Sequence, residues 1–211
     1  MRAIVVIALI GCGGEPHHAE IATAAPSEYP GVLHAPSTLH PDFMVRQTLT
    51  IHTRHDGKPI DAVLEAVLQK QADTLLVLGL GPMNVKAFTL TEKGDKITFD
   101  QFAGPPLPFS PRNIIVDIHR VFFMRLPAPA DPQHTGVVSG ELDGEHVDET
   151  WQAGQLRAIV FTRPDSPFHG AVRIQLGDGC TARRCEPVSA TLRNEWFGYT
   201  LIITNDTFEP L

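Results

Sequence analysis

The residues whose types and spacing point most directly to chemistry are the three cysteines. Cys12 ends the run Leu9-Ile10-Gly11-Cys12, which matches a bacterial lipobox, the signal at which a thiol takes a diacylglyceryl group and becomes the new N-terminus. Upstream lie one basic residue, Arg2, and an apolar run from Ala3 to Ile10, the two regions of a secretory leader. Eight residues of helix rise only about 12 Å against a hydrocarbon core of roughly 30 Å. The run therefore predicts a cleaved signal peptide over 1–11, with Cys12 lipidated, and not a membrane span. The alternative is a buried first strand with Cys12 as a core thiol. Cys180 and Cys185 then remain as an even pair in a polar, Gly-rich loop that begins Gly177-Asp178-Gly179. Their spacing is too wide for a Cys-x-x-Cys redox site, and no second Cys or His pair lies nearby to complete a zinc site. A disulfide is expected, two reduced thiols being the alternative.

Other side chains that could do chemistry fall into weaker patterns. His52 and His55 point to different faces of a strand or its end, and His17-His18 lies in a Pro-rich stretch, so all four read as solvated surface. Glu141, Asp143, Glu145, Asp148 and Glu149 cluster about a hairpin tip, where exposed carboxylates are ordinary and burial is not expected to tune them. No Gly-x-Ser-x-Gly elbow, P-loop or Gly-x-Gly-x-x-Gly turn is present. A hydrolase or thioesterase would have His119 and His169 as its only plausible bases, and the expectation is no enzyme, no catalytic residues, no metal and no cofactor. A formal charge of -7, with 17 Lys and Arg dispersed among 24 Asp and Glu, provides no basic face for nucleic acid.

The elements that must position these residues read as mainly β. Val45, Gln47, Leu49 and Ile51 alternate with Arg46, Thr48, Thr50 and His52, and the same period recurs at Val172, Ile174 and Leu176 and at Tyr199, Leu201 and Ile203. Further strands are expected near 60–70, 74–80, 85–92, 96–102, 136–142, 146–152 and 155–163. His55-Asp56-Gly57-Lys58, Lys93-Gly94-Asp95 and Leu142-Asp143-Gly144-Glu145 supply hairpin turns. Ser110-Pro111 is a cap followed by proline at the first helical position, and Ile114, Ile118, Val121 and Phe122 repeat at helical spacing until Pro127. The prediction is an antiparallel β-meander curved into a half-barrel over 42–211, with one or few helices covering its concave face. Residues 12–41, with five prolines after Gly13-Gly14, read as a flexible tether with a reach of about 30 Å.

In order along the chain, Pro30-Gly31-Val32-Leu33, Arg46-Gln47, Gly79-Leu80-Gly81-Pro82-Met83, Phe88-Thr89-Leu90, Pro111 to Phe123 with Asp117, and Gly198-Tyr199-Thr200-Leu201-Ile202-Ile203 resemble a family of bacterial lipoproteins of unknown function, some encoded beside aryl-polyene synthesis genes. That family is similar in fold to the outer-membrane receptor of the lipoprotein-localisation system, a half-barrel with helices plugging an apolar concavity. The resemblance implies a trough that binds or relays an amphiphile, either a lipoprotein acyl chain or a polyene-type lipid. Burying sixteen carbons could supply about 12 kcal/mol at ~0.8 kcal/mol per methylene. It also implies an exposed apolar loop for ligand or membrane contact, here Leu80, Pro82 and Met83. The absence of aspartate after Cys12 favours the outer membrane, facing the periplasm. The competing expectation is a scaffold lipoprotein whose interior is filled by its own side chains and whose partner is an envelope protein.

Overall fold

A computed structural model describes residues 17–21, 29–55, 58–103, 110–165, 170–182 and 184–211. Residues 1–11, expected to be a leader, Cys12 and His169 lie outside them. Period-two alternation becomes twelve strands: β1 (His17–Ile21), β2 (Phe43–His55), β3 (Lys58–Gln71), β4 (Thr74–Leu80), β5 (Lys86–Lys93), β6 (Lys96–Gln101), β7 (Gly136–Leu142), β8 (Glu145–Gln152), β9 (Gln155–Thr162), β10 (Ala171–Leu176), β11 (Ser189–Asn194) and β12 (Tyr199–Pro210). They form one antiparallel sheet in the order β1-β6-β5-β4-β3-β2-β12-β11-β10-β9-β8-β7. The sheet does not close on itself. It consists of two meanders, β2 to β6 and β7 to β12, joined at β2 and β12, where Leu49 opposes Ile203 and Ile51 opposes Leu201.

Tight turns follow from residues that accept positive φ. At Asp143 (φ 53°) and Gly144 (φ 79°) both central residues are left-handed, the backbone a two-residue hairpin needs. The inward faces carry Phe43 and Val45 on β2, Leu75 and Val77 on β4, Ile159 and Phe161 on β9, and Val172 and Ile174 on β10, all buried.

The helix α1 (Pro111–Phe122) begins at Ser110, whose backbone carbonyl accepts from the N–H groups of Asn113 (2.9 Å) and Ile114 (3.4 Å), with proline at the first position. Ser110 makes no side-chain cap. At the far end Arg125 donates to the carbonyls of Arg120 (2.8 Å), Val121 and Met124, a cation on the negative pole of the helix. Burial holds the Arg125 guanidinium down to about 10.

Two expectations are corrected. Part of the stretch read as tether belongs to the folded body: Tyr29 is 3% exposed, Pro36 and Leu39 are buried, and His17–Ile21 is a strand of the sheet. Proline content suggested a coil, but Tyr29 and Leu39 bury too much apolar surface to stay in water. α1 itself turns charge inward, since Asp117, His119 and Arg120 are buried along with its apolar residues. The acidic hairpin is not all surface either, since Glu145 and Glu149 project inward from β8 and are 1% and 0% exposed.

Candidate functional site

α1 crosses the concave face and divides its interior. On the β2 to β5 side, between the helix and the sheet, runs a trough with a cavity of about 100 Å³. Leu49 and Ile51 of β2, Leu64 of β3, Phe88 of β5, Ile118 of α1 and Leu201 of β12 line it. Each of these six is only half-buried, so the trough reaches solvent. The cause is register. β4 ends opposite Glu65, so the first half of β3 projects beyond it, and Ile60 at the projecting end is 40% exposed. The helical repeat of Ile114, Ile118, Val121 and Phe122 turns its apolar stripe into this space.

Phe88 owes its place to Gly79. The two are cross-strand partners on β4 and β5, and a Cβ at Gly79 would stand 2.2 Å from the Phe88 ring. Only glycine lets the ring lie flat against the sheet.

Gln47, Asp117 and Tyr199 are the polar members of the lining. Gln47 donates to Asn205 at 2.9 Å. Asp117 anchors a buried network: the hydroxyls of Tyr29 and Tyr199 donate to it, as do Asn194 Nδ2 (3.2 Å) and Arg120 Nη1 (2.9 Å). Arg120 continues to the Tyr29 hydroxyl at 2.7 Å, the Pro30 carbonyl at 2.6 Å and both oxygens of Glu145 at 2.9 Å. Burial, then the Asp117 charge, pushes the pKa of both phenols well above the ordinary tyrosine value. Desolvation raises Glu145, with Arg120 opposing it. Each Asp117 oxygen accepts two donors, which uses its acceptor capacity and leaves none for a substrate proton. This network is a clamp: it pins the Tyr29 segment, the helix, β8 and β11 to one another.

His119 is fully buried, with Nε2 2.9 Å from Glu92 of β5, and does not line the trough. Among the described residues no group of three or more His, Cys, Asp and Glu is arranged to hold a metal ion. Cys180 and Cys185 are joined as a disulfide. Cys180 is fully buried, and Arg125 lies 3.4 Å from Cys185 Sγ.

Met83 stands at the turn between β4 and β5, 92% exposed, with φ 60°. A non-glycine residue in the left-handed region costs about 1–2 kcal/mol, and here the cost holds an apolar side chain out in solvent. Leu80 is the last residue of β4 and Pro82 opens the turn. Val85 and Phe102 are exposed nearby at 53% and 43%, with Lys86 Nζ 4.0 Å over the Phe102 ring.

Fold and trough together define a class: an open, antiparallel β half-barrel with one helix laid across its concave face. The chain belongs to the family described as protein of unknown function (DUF3261), whose model matches residues 44–207. No curated protein matches the chain. Solved structures that resemble it include a domain from Vibrio parahaemolyticus assigned to outer membrane lipoprotein sorting, at 7% identity and a TM-score of 0.39, covering 80% of this chain and 85% of that one. A LolA superfamily protein from Nitrosomonas europaea matches at 9% identity and a TM-score of 0.39, covering 84% and 90%. A DUF1329 family protein from Desulfovibrio piger matches at 12% and 0.35, covering 83% and 87%.

Tyr29 and Arg120 escape a sequence reading of the site. One signal for Arg120 was present: Asp117 and Arg120 are three apart on a helix whose other side is apolar, the spacing of an intrahelical ion pair.

Proposed function

We propose that the protein is an envelope lipoprotein, acylated at Cys12 and held at the outer membrane facing the periplasm, that takes the acyl part of an amphiphile into the trough and performs no catalysis. The observation that carries this is the half-exposed apolar lining between α1 and the β2 to β5 wing. Apolar side chains left partly in water at the centre of a sheet's concave face are unusual unless something covers them. A cavity of about 100 Å³ is smaller than the ~150 Å³ site that admits benzene in an engineered core. A long chain is therefore received in part, a few methylenes inside and the rest along the rim toward Ile60. At ~0.8 kcal/mol per methylene, four buried carbons contribute about 3 kcal/mol, suited to relay more than to storage. In this reading Met83 is the point of contact with the membrane or the delivering partner.

A scaffold function is favoured by a different observation. The β7 to β11 wing is filled by its own Trp151, Leu156, Phe161 and Ile174, all buried.

The test is native mass spectrometry of the Cys12→Ser protein, with residues 1–11 replaced by a leader that is cleaved without lipidation so that the protein is released into a bacterial periplasm. The carrier reading expects a lipid adduct that solvent extraction removes, and a stripped protein that binds a fluorescent fatty acid. An adduct-free protein that also ignores the fatty acid would leave the scaffold.

A further inference from the structure

The geometry points to an N-terminal segment that serves as a strand and not as a leash, turning the Met83 end of the sheet toward the bilayer in which Cys12 is anchored. This rests on the reading of Cys12 as the acylated residue.

β1 pairs antiparallel with β6, from His17 opposite Gln101 to Ile21 opposite Ile97. The direction matters. His17, the end of β1 nearer Cys12, lies beside the last residue of β6, and Phe102 follows it. Phe102 donates its N–H to the Ala87 carbonyl at 2.7 Å, which ties this corner to the start of β5. Met83, Val85 and Lys86 precede Ala87 along the chain, so the exposed apolar residues and the cation over Phe102 share one end of the sheet with His17.

Chain length turns this placement into an orientation. His17 is five residues after Cys12, and five residues span at most about 18 Å. A free coil of thirty residues would reach about 30 Å and leave every orientation open. With β1 in the sheet, the end that carries Met83 and, beyond it, the projecting ends of β2 and β3 stays toward the headgroups. The opposite end, at the Gly94-Asp95 turn, stands roughly 23 Å farther along the eight residues of β5. Three exposed apolar side chains and an ammonium group suit an anionic bilayer surface, which accepts apolar groups at its acyl boundary and attracts cations. The trough also opens at this end, through Ile51 and Ile60, so its mouth faces the same leaflet.

The test uses the mature acylated protein in vesicles of phosphatidylethanolamine and phosphatidylglycerol with brominated chains. An environment-sensitive fluorophore is attached at Met83→Cys or, in a separate protein, at Asp95→Cys. The expected result is at least threefold stronger bromine quenching at position 83 than at 95, with the ratio falling toward one when Ala19→Pro removes a β1 ladder donor. Mild oxidation of a Glu20→Cys/Thr98→Cys protein should also form a cross-link, since these positions are paired. Equal quenching at the two labels, a ratio unmoved by Ala19→Pro, an absent cross-link or a chain recovered without its acyl group would each overturn the proposal. Strong quenching at 83 together with a trough that binds no fatty acid would uphold the orientation and refute the carrier.

Discussion

Arg120 Nη2 lies 2.9 Å from both carboxylate oxygens of Glu145, with the two side chains 0% and 2% exposed. A buried pair of this kind contributes little over an apolar replacement, but losing Glu145 leaves Arg120 with Asp117 as its one carboxylate and the donors aimed at Glu145 unmet. Glu145→Ala should therefore cost about 1–3 kcal/mol, read as a lower urea midpoint. Glu145→Gln, which keeps one acceptor for Arg120, should cost less. If Glu145→Ala were neutral, the clamp between helix and β8 would have no energetic weight.

Stability should also depend on pH through Glu149. Its oxygens accept from the Leu126 N–H (2.9 Å) and Trp151 Nε1 (3.2 Å), yet desolvation dominates and raises its pKa. A carboxyl whose folded value lies above its unfolded value, about 4.3, binds more protons in the native state. Its contribution is whole below the unfolded pKa and is lost as pH rises through the raised folded value. Denaturation from about pH 4 to pH 7 should show the natural protein losing stability relative to Glu149→Gln. Asp42 runs the other way: its bonds with Lys70 and the Ala72 N–H lower its pKa, so its contribution is lost only in acid.

Gly79→Ala tests the trough from its back wall. The new methyl must push the Phe88 ring toward the cavity, a displacement expected to cost about 1–3 kcal/mol in stability. Binding of a fluorescent fatty acid should weaken about tenfold, equivalent to ~1.4 kcal/mol. Unchanged affinity in a folded Gly79→Ala protein would mean that ligand does not touch Phe88.

Reduction of the Cys180 to Cys185 disulfide should lower stability by about 2 kcal/mol, the chain-entropy value for so short a loop. Unfolding with and without reductant measures it, and a Cys180→Ser/Cys185→Ser protein should show no further response. The cost should spread to the C-terminus of α1, because Arg125 bridges the helix carbonyls and Cys185.

Much of the sheet was legible because one face of each strand meets the interior and the other meets water. The alternation of Leu49 and Ile51 with Thr48 and Thr50 carries that information directly. β11 was harder, since Ser189-Ala190-Thr191-Leu192 has only two inward apolar residues and its pairing with β10 and β12 is decided by tertiary contacts. The helix was visible from Ser110-Pro111 and its apolar stripe, but not its second buried face, because a charged residue signals solvent until its partner is known. Arg120 finds Glu145 and Tyr29, which lie 25 and 91 residues away. Glu145 and Glu149 were misplaced for the same reason. Tyr29 was hidden among prolines, in a segment whose composition describes a coil and whose packing does not.

The seam between β2 and β12 has a consequence for how the chain reaches this state. Each meander zips from neighbouring strands, but the two halves meet only when residues 199–210 lie against residues 43–52. As the chain is made the first half must wait, with the inner edge of β2 unpaired, for the last stretch to emerge. Pairing across so long a separation is slow relative to hairpin closure, so the newly made protein depends on being kept from other strand edges until its final residues arrive.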